Sequence, residues 1–203
     1  MKERLIIFTR YPEPGKTKTR LIPALGADKA ATLQRQMTEY TLDHVRQLQH
    51  QRPITPELRF AGGNLNLIRS WLGFDLVYQP QGEGDLGTRM ARSLSVAFQD
   101  GIACAVIIGT DCPGLNADLI ARAFEALQSH DLVLGPALDG GYYLLGLRYF
   151  IPELFIGINW GTSEVLQQTV NIAKKLNLCI AYLPQLADVD RPEDLHIWEQ
   201  REG

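Results

Sequence analysis

The sequence contains little cysteine and little histidine. Its 203 residues include three cysteines and four histidines. Cys104, Cys112 and Cys179 are odd in number and lack the paired spacing of zinc ligands, which argues against a disulfide framework and against a zinc site. No histidine lies near Cys112 in the sequence, so we expect a packed thiol there rather than a nucleophile. This cysteine usage favours a reducing, cytoplasmic environment.

Long apolar runs and a strong net charge are also missing. The N-terminal stretch MKERLIIF has only four consecutive apolar residues, too few for a signal-peptide core, and no run of about 18 apolar residues follows. We therefore expect no targeting segment and no membrane span. A net charge of only -3 speaks against nucleic acid as a partner, while 45% hydrophobic residues in 203 suffice for one domain covering 1–203.

Short β-rich runs alternate with longer segments of helical period. This pattern predicts an α/β fold of three layers, with a mixed, mainly parallel sheet of about seven strands and helices on both faces. We predict strands over 5–9, 57–61, 75–79, 103–109, 132–136, 142–146 and 178–183. We predict helices over 28–49, 65–72, 86–98, 117–128, 163–176 and 191–200, with Asn116, Thr162 and Asp190 as N-caps. The connection after residue 136 is too short for a parallel crossover, so one strand near there should run antiparallel.

Ligands of open α/β sheets bind beyond the carboxyl ends of the strands, so the residues that follow each strand are the site candidates. After the first strand comes RYPEPGKTKTRL, residues 10–21. Its prolines stiffen the loop, its glycine allows close backbone approach, and Lys16, Lys18 and Arg20 can surround a phosphate. We predict nucleotide contacts from this loop at Arg10, Pro14, Gly15, Lys16 and Arg20. The alternative is a charged loop that only faces solvent.

A second glycine-rich segment follows the third predicted strand. QGEGDLGTRM places Gly82, Gly84 and Gly87 in G-x-G-x-x-G spacing before a helix. A dinucleotide fingerprint normally closes the first strand of its unit, whereas this segment belongs to the third unit, so a plain turn is the stronger interpretation. We predict Gly82, Gly84 and Arg89 as further nucleotide contacts.

Four aspartates follow later strands. Asp111, in VIIGTDCPGL, comes after a fully apolar strand, and Asp188 and Asp190 lie in LADVDRPEDL after the last strand. Carboxylates suit hard cations such as Mg²⁺, although Asp111 and Asp190 can instead serve a turn or a helix cap. Asp139, in LDGGYYLLGL, lies at a Gly-Gly turn where it can accept bonds from sugar hydroxyls; the alternative is a tight hairpin with core tyrosines.

Together these motifs closely resemble the glycosyltransferase-like family of GT-A fold known as DUF2064, which is related to molybdenum-cofactor guanylyltransferases and 2-phospholactate guanylyltransferases. The resemblance covers nearly the whole chain. It implies a nucleotide-diphospho-sugar transferase fold in which the N-terminal loop grips nucleotide phosphates and the mid-chain aspartate holds a divalent metal. Two features depart from related motifs: Pro-Glu-Pro-Gly-Lys stands where sugar nucleotidyltransferases have a G-G-x-x-x-R-M loop, and the D-x-D triplet of glycosyltransferases reads Asp111-Cys112-Pro113.

The resemblance implies a metal-dependent transferase acting on a small-molecule nucleotide or nucleotide sugar, with Mg²⁺ or Mn²⁺ as cofactor. Glycosyl transfer from a nucleoside diphosphate sugar is the favoured reaction; nucleotidyl transfer from a triphosphate and a non-catalytic nucleotide-sugar-binding module are the alternatives. The implied residues are grouped by role. The catalytic group is Asp111, Lys16, Arg20 and Asp139; the metal ligands are Asp111, Asp188 and Asp190; the acceptor or sugar contacts are Asp139, Gly140, Gly141 and Tyr142.

Overall fold

The computed structural model describes residues 2–200, in which seven strands form one sheet of order β3-β2-β1-β4-β6-β5-β7. The strands are β1 (Glu3–Arg10), β2 (Ile54–Ala61), β3 (Val77–Pro80), β4 (Cys104–Ile108), β5 (Leu132–Pro136), β6 (Tyr142–Leu147) and β7 (Ile180–Tyr182). The helices are α1 (Ile22–Leu25), α2 (Ala27–Gln51), α3 (Leu65–Leu72), α4 (Leu86–Gln99), α5 (Ala117–Ala126), α6 (Val165–Lys175) and α7 (Leu195–Glu199).

The sheet is mixed, as the sequence predicts. Strand β6 pairs antiparallel with both β4 and β5, whereas the other pairings are parallel. The five residues between β5 and β6 allow only a hairpin, because a parallel crossover needs a dozen residues or more. The predicted α/β class and the antiparallel strand are therefore confirmed.

Central strand β1 shows why helices lie on both faces. Leu5 and Ile7 pack into one hydrophobic cluster, while Ile6 and Phe8 pack into another on the opposite face. Helices α2 and α5 contribute to the first cluster, and α4 and α6 contribute to the second. A strand buried on both faces must be apolar at every position, which explains the continuous LIIF run.

Two of the three predicted helix caps need correction. Asn116 does cap α5, since its Oδ1 accepts from the Leu119 amide at 3.0 Å. The predicted cap at Asp190 is wrong: the Asp194 carboxylate accepts from the amides of Asp190 and Arg191, and a short 3₁₀ turn precedes α7 where a continuous helix over 191–200 was expected. Thr162 accepts from the Glu164 amide at 3.3 Å, ahead of a helix that begins only at Val165.

Over residues 2–200, the helices are all too short or too polar to cross a membrane. The longest of them, α2, packs Leu48 against the sheet, whereas its Leu33 and Met37 pack in a separate cluster with Val189 and Trp198. Its opposite side is solvated, which is typical of a helix covering a globular core.

Candidate active site

A cleft of about 750 Å³ opens at the carboxyl ends of β1 and β4. Many of the predicted site residues line it: Arg10, Lys16, Arg20, Arg89, Asp111, Asp139, Gly141, Tyr142, Asp188 and Asp190. Others lie outside its lining: Pro14, Gly15, Gly82, Gly84 and Gly140. The fold therefore brings the charged candidates from five separate chain segments to one place, while several of the glycines serve the local backbone.

The centre of the cleft is an ion pair between Lys18 and Asp111. The Lys18 ammonium donates to Asp111 Oδ1 at 2.5 Å and to the Val189 carbonyl oxygen at 2.7 Å. The Val189 amide in turn donates to the Asp111 carbonyl oxygen at 2.9 Å. One lysine thus joins the loop after β1, the loop after β4 and the segment that carries Asp188 and Asp190.

Lys18 is the lysine of this loop that reaches Asp111, although the nucleotide contacts predicted from the sequence include Lys16 and not Lys18. The Lys16 side chain is 70% exposed and pairs with Glu13 at 2.8 Å, whereas the Lys18 side chain is only 4% exposed. The backbone of Lys18 is left-handed, with φ 49° and ψ 45°, and this bend turns its side chain inward. A left-handed lysine leaves no mark in the sequence, so the loop pattern alone did not separate the two residues.

Arg20 and the acidic segment after β7 form the next layer of charge. Arg20 Nη1 donates to Asp190 Oδ2 at 2.5 Å, and both side chains are partly exposed. Burial, together with the negative charge of Asp139, raises the pKa of the half-buried Asp188 above its ordinary value. The acids of two distant segments therefore lie close enough to repel one another, an arrangement that a cation or a donor hydroxyl relieves.

Cys112 is a packed thiol, as the sequence predicts. It is 7% exposed, and burial raises the pKa of its thiol well above the ordinary range, with the charges of Asp111, Asp188 and Asp139 adding to the effect. A thiol that resists ionisation is a poor nucleophile. Cys112 therefore contributes packing beside Asp111.

The glycine-rich segment before α4 is a turn that holds an arginine. Arg92 donates to the carbonyl oxygens of Gln81 and Glu83, both at 2.8 Å, and a Cβ on Gly82 would overlap its guanidinium. The N-terminus of α4 is already occupied, because Asp85 Oδ1 accepts from the Thr88 amide at 2.8 Å. This supports the plain-turn interpretation over a dinucleotide fingerprint.

The hairpin between β5 and β6 is clamped to the loop that precedes α6. Gly140 has φ 89°, a Cβ there would overlap the Ser163 carbonyl oxygen, and the Leu166 amide donates to the Gly140 carbonyl oxygen at 3.0 Å. Asp139 Oδ1 accepts from the Gly141 amide at 2.8 Å. The turn that presents Asp139 therefore has a fixed shape, which only glycine at position 140 permits.

Trp160 is a cleft residue that the sequence analysis missed. Its ring meets Tyr142 edge to face at a centroid distance of 6.4 Å. A Cβ on Gly87 would overlap the indole, so this glycine of α4 makes room for the tryptophan. The signal was available as an isolated aromatic between two glycines, Gly157 and Gly161, but nothing in that local pattern connects it to α4.

A polar layer supports the floor of the cleft. Gln34 Nε2 lies 3.2–3.3 Å from the hydroxyls of Thr9, Thr38 and Thr110. Gln81 Nε2 donates to the Thr9 carbonyl oxygen at 3.0 Å, at the end of β1. These buried amides satisfy groups at the strand ends, and we infer that they fix the position of the loops that carry Lys18 and Asp111.

The donor set suits a hard divalent cation that is shared with phosphate oxygens. Asp111, Asp188 and Asp190 offer carboxylate oxygens, the ligands that Mg²⁺ and Mn²⁺ prefer. Across residues 2–200, however, no three such side chains converge as a ready-made metal cluster. Mg²⁺ typically uses one or two carboxylates with substrate phosphates and water. These residues therefore fit a metal that arrives together with a nucleotide.

The sheet order and the charged cleft define a protein of the nucleotide-diphospho-sugar transferase fold. The chain belongs to the DUF2064 family, described as an uncharacterized protein conserved in bacteria, whose model matches residues 41–162. It is similar to a candidate nucleotide-diphospho-sugar transferase from Desulfovibrio desulfuricans G20, with 36% identity, a TM-score of 0.91, and coverage of 98% of this chain and 87% of that one.

More distant structures share the fold alone. A 4-diphosphocytidyl-2C-methyl-D-erythritol synthase from Anaerococcus prevotii DSM 20548 is 12% identical, with a TM-score of 0.64 and coverage of 97% and 93% of the two chains. The manganese complex of Rv0371c from Mycobacterium tuberculosis H37Rv is 14% identical, with a TM-score of 0.56 and coverage of 97% of each chain. A comparison with curated proteins finds no match.

Proposed function

We propose that this protein is a divalent-metal-dependent transferase that moves the glycosyl group of a nucleoside diphosphate sugar to an acceptor. The observation that carries the proposal is the convergence of Lys18, Asp111 and the Asp188–Asp190 segment at the ligand edge of the sheet. A buried ammonium beside carboxylates is suited to binding a metal-complexed diphosphate. The 36% identical relative described as a candidate transferase of this kind supports the assignment.

The reaction asks the cleft to stabilise a departing nucleoside diphosphate. Lys18 and Arg20 are placed to donate hydrogen bonds to its phosphate oxygens as negative charge develops on them. Asp111, with Asp188 and Asp190, would hold Mg²⁺ or Mn²⁺, which when bound acts as a Lewis acid on a phosphate oxygen. Asp139, which its clamped turn holds near Asp188, would orient the acceptor hydroxyl and take its proton. Tyr142 and Trp160 would pack against the acceptor or the sugar ring.

Nucleotidyl transfer from a triphosphate is the second candidate. Four cations from the end of β1 and the loop after it line the cleft: Arg10, Lys16, Lys18 and Arg20. That is enough positive charge for a triphosphate as well as for a diphosphate. The shared fold with a diphosphocytidyl synthase points in the same direction.

The released product distinguishes these reactions. The protein is incubated with nucleoside triphosphates and nucleotide sugars, with Mg²⁺ or Mn²⁺ and a panel of acceptors. Nucleoside diphosphate release is the expected result, and pyrophosphate release would assign nucleotidyl transfer instead. Tight nucleotide-sugar binding without either product would assign a non-catalytic binding module, an outcome that the fold alone permits.

Arg20→Ala is expected to weaken Mg²⁺-nucleotide binding by about 1.5 to 3 kcal/mol, the usual contribution of a hydrogen bond to a charged group. Arg20→Lys should recover only part of this, because an ammonium does not make the two-pronged contact of a guanidinium. Calorimetric titration with a nucleoside diphosphate measures both. Arg46→Ala is the matched control, since Arg46 is an exposed arginine of α2 that pairs with Asp43. Equal affinities for all four proteins would mean that Arg20 does not contact the phosphates.

A further inference from the structure

Lys18 is held in an unusual position. Its backbone is left-handed and its side chain is almost fully buried. Lysine is rarely buried, and then only with a partner for its charge, which here is Asp111. A left-handed lysine is strained relative to a right-handed one, because its Cβ crowds the following carbonyl oxygen. In this conformation the ammonium donates hydrogen bonds to Asp111 and to the Val189 carbonyl oxygen.

The ammonium occupies one of the two carboxylate oxygens that Asp111 offers to a metal. Lys18 Nζ lies 2.5 Å from Oδ1 of Asp111, the first of the candidate metal ligands. Its second hydrogen bond is to the carbonyl oxygen of Val189, the residue between the other two candidates, Asp188 and Asp190. A divalent cation on the same oxygen would lie within a few ångströms of the ammonium, and like charges at that separation repel strongly. Without an anion, the lysine therefore competes with the metal for Asp111.

A polyphosphate changes that balance. An ammonium has three protons, and two of them are used by Asp111 and Val189. Lys18 lines the cleft, so a phosphate oxygen can take over the ammonium and compensate its charge. Asp111 Oδ1 would then be free to hold a divalent metal.

We propose that Lys18 is a positioning residue that makes the divalent metal and the polyphosphate bind cooperatively, by occupying Asp111 until a phosphate draws the ammonium away. This inference rests on the proposed metal-dependent nucleotide function and adds the order in which the site is filled. The coupling is reciprocal: the metal raises the affinity for polyphosphate by the same factor by which polyphosphate raises the affinity for the metal.

The test measures Mn²⁺ binding by the loss of the free-ion electron paramagnetic resonance signal, with and without inorganic pyrophosphate. Pyrophosphate removes any dependence on base and sugar, and a titration of Mn²⁺ with pyrophosphate alone corrects for the complex formed in solution. In the wild type we expect weak Mn²⁺ binding that pyrophosphate strengthens at least tenfold. Lys18→Met keeps the apolar stem and removes the charge. It should bind Mn²⁺ alone at least tenfold more tightly than wild type and bind pyrophosphate at least tenfold more weakly.

Opposite changes for the two probes separate this role from a structural one, because a distorted site would weaken both. Lys18→Arg should restore weak binding of Mn²⁺ alone, and Lys175→Met, an exposed lysine at the end of α6, should behave as wild type. If Lys18→Met binds Mn²⁺ no more tightly than wild type, the coupling is wrong while the proposed function stands. If wild type binds neither probe, both proposals fail.

A measurement on the unaltered protein covers the case in which Lys18→Met does not fold. The ¹⁵Nζ resonance of Lys18 reports directly on the hydrogen bonds of the ammonium. Mg²⁺ alone should leave it unchanged, whereas Mg²⁺ with pyrophosphate should shift it. A shift produced equally by Mg²⁺ alone would overturn the proposed order.

Discussion

Asp111→Asn is expected to abolish metal-dependent nucleotide binding, with a loss of at least a hundredfold, or about 3 kcal/mol, in the presence of Mg²⁺. The neutral amide no longer attracts a divalent cation, and it leaves the Lys18 ammonium without its carboxylate partner. Metal-free affinity for a nucleoside diphosphate should stay the same or rise, because a negative charge beside the phosphates is removed. Calorimetry with and without Mg²⁺ measures both quantities.

The fold of the Asp111→Asn variant should remain intact. The Asp111 side chain is 52% exposed and asparagine keeps an oxygen that can accept from Lys18, so the loss of stability is small. Asp43→Asn is the control, an exposed acid of α2 in an ion pair with Arg46. An Asp111→Asn variant that still binds nucleotide more tightly with Mg²⁺ than without it would remove Asp111 from the metal site.

Gly140→Ala is expected to lower the free energy of unfolding by about 2 to 5 kcal/mol, from left-handed strain and overpacking together. Gly140 has φ 89°, and a Cβ there would overlap the backbone carbonyl oxygen of Ser163. Backbone does not move aside as a flexible side chain does, so the hairpin and the loop before α6 must separate. Chemical denaturation measures the stability, and turnover should fall with it because Asp139 loses its fixed position.

Gly157→Ala provides the matched control for that effect. Gly157 also has a positive φ, 72°, but a Cβ there meets nothing within 4 Å. It should therefore lose only the strain contribution of about 1 to 2 kcal/mol. Equal losses for the two variants would show that the contact between Gly140 and Ser163 does not hold the turn.

Much of the fold was predictable because its signals are local. Continuous apolar runs such as LIIF indicate strands buried on both faces, and the short connection between β5 and β6 excludes a parallel crossover. Asn116 caps its helix with a side chain only three residues from the amide it bonds, so the sequence contains both partners. The charged candidates of the cleft could be predicted equally well, because the strand ends of an α/β sheet converge at one edge.

The features that were missed depend on contacts between distant segments. The contact between Lys18 and Asp111 joins a left-handed residue to a partner 93 positions away. Trp160 enters the cleft because a glycine of α4 leaves space for it. Asp190 pairs with Arg20, 170 positions earlier, and does not cap the last helix. No local pattern contains both members of such a pair.

The reversed direction of β6 determines which segments of the chain form each wall of the cleft. Because β6 runs against β4, its beginning lies beside the end of β4, and the Gly109 amide donates to the Tyr143 carbonyl oxygen at 3.0 Å. The wall with Asp139, Tyr142 and Trp160 therefore comes from one contiguous stretch, 137–164, whereas the wall with Lys18, Asp111 and Asp188 is assembled from three distant ones. An insertion or exchange within that stretch can remodel one wall of the cleft and leave the other unchanged.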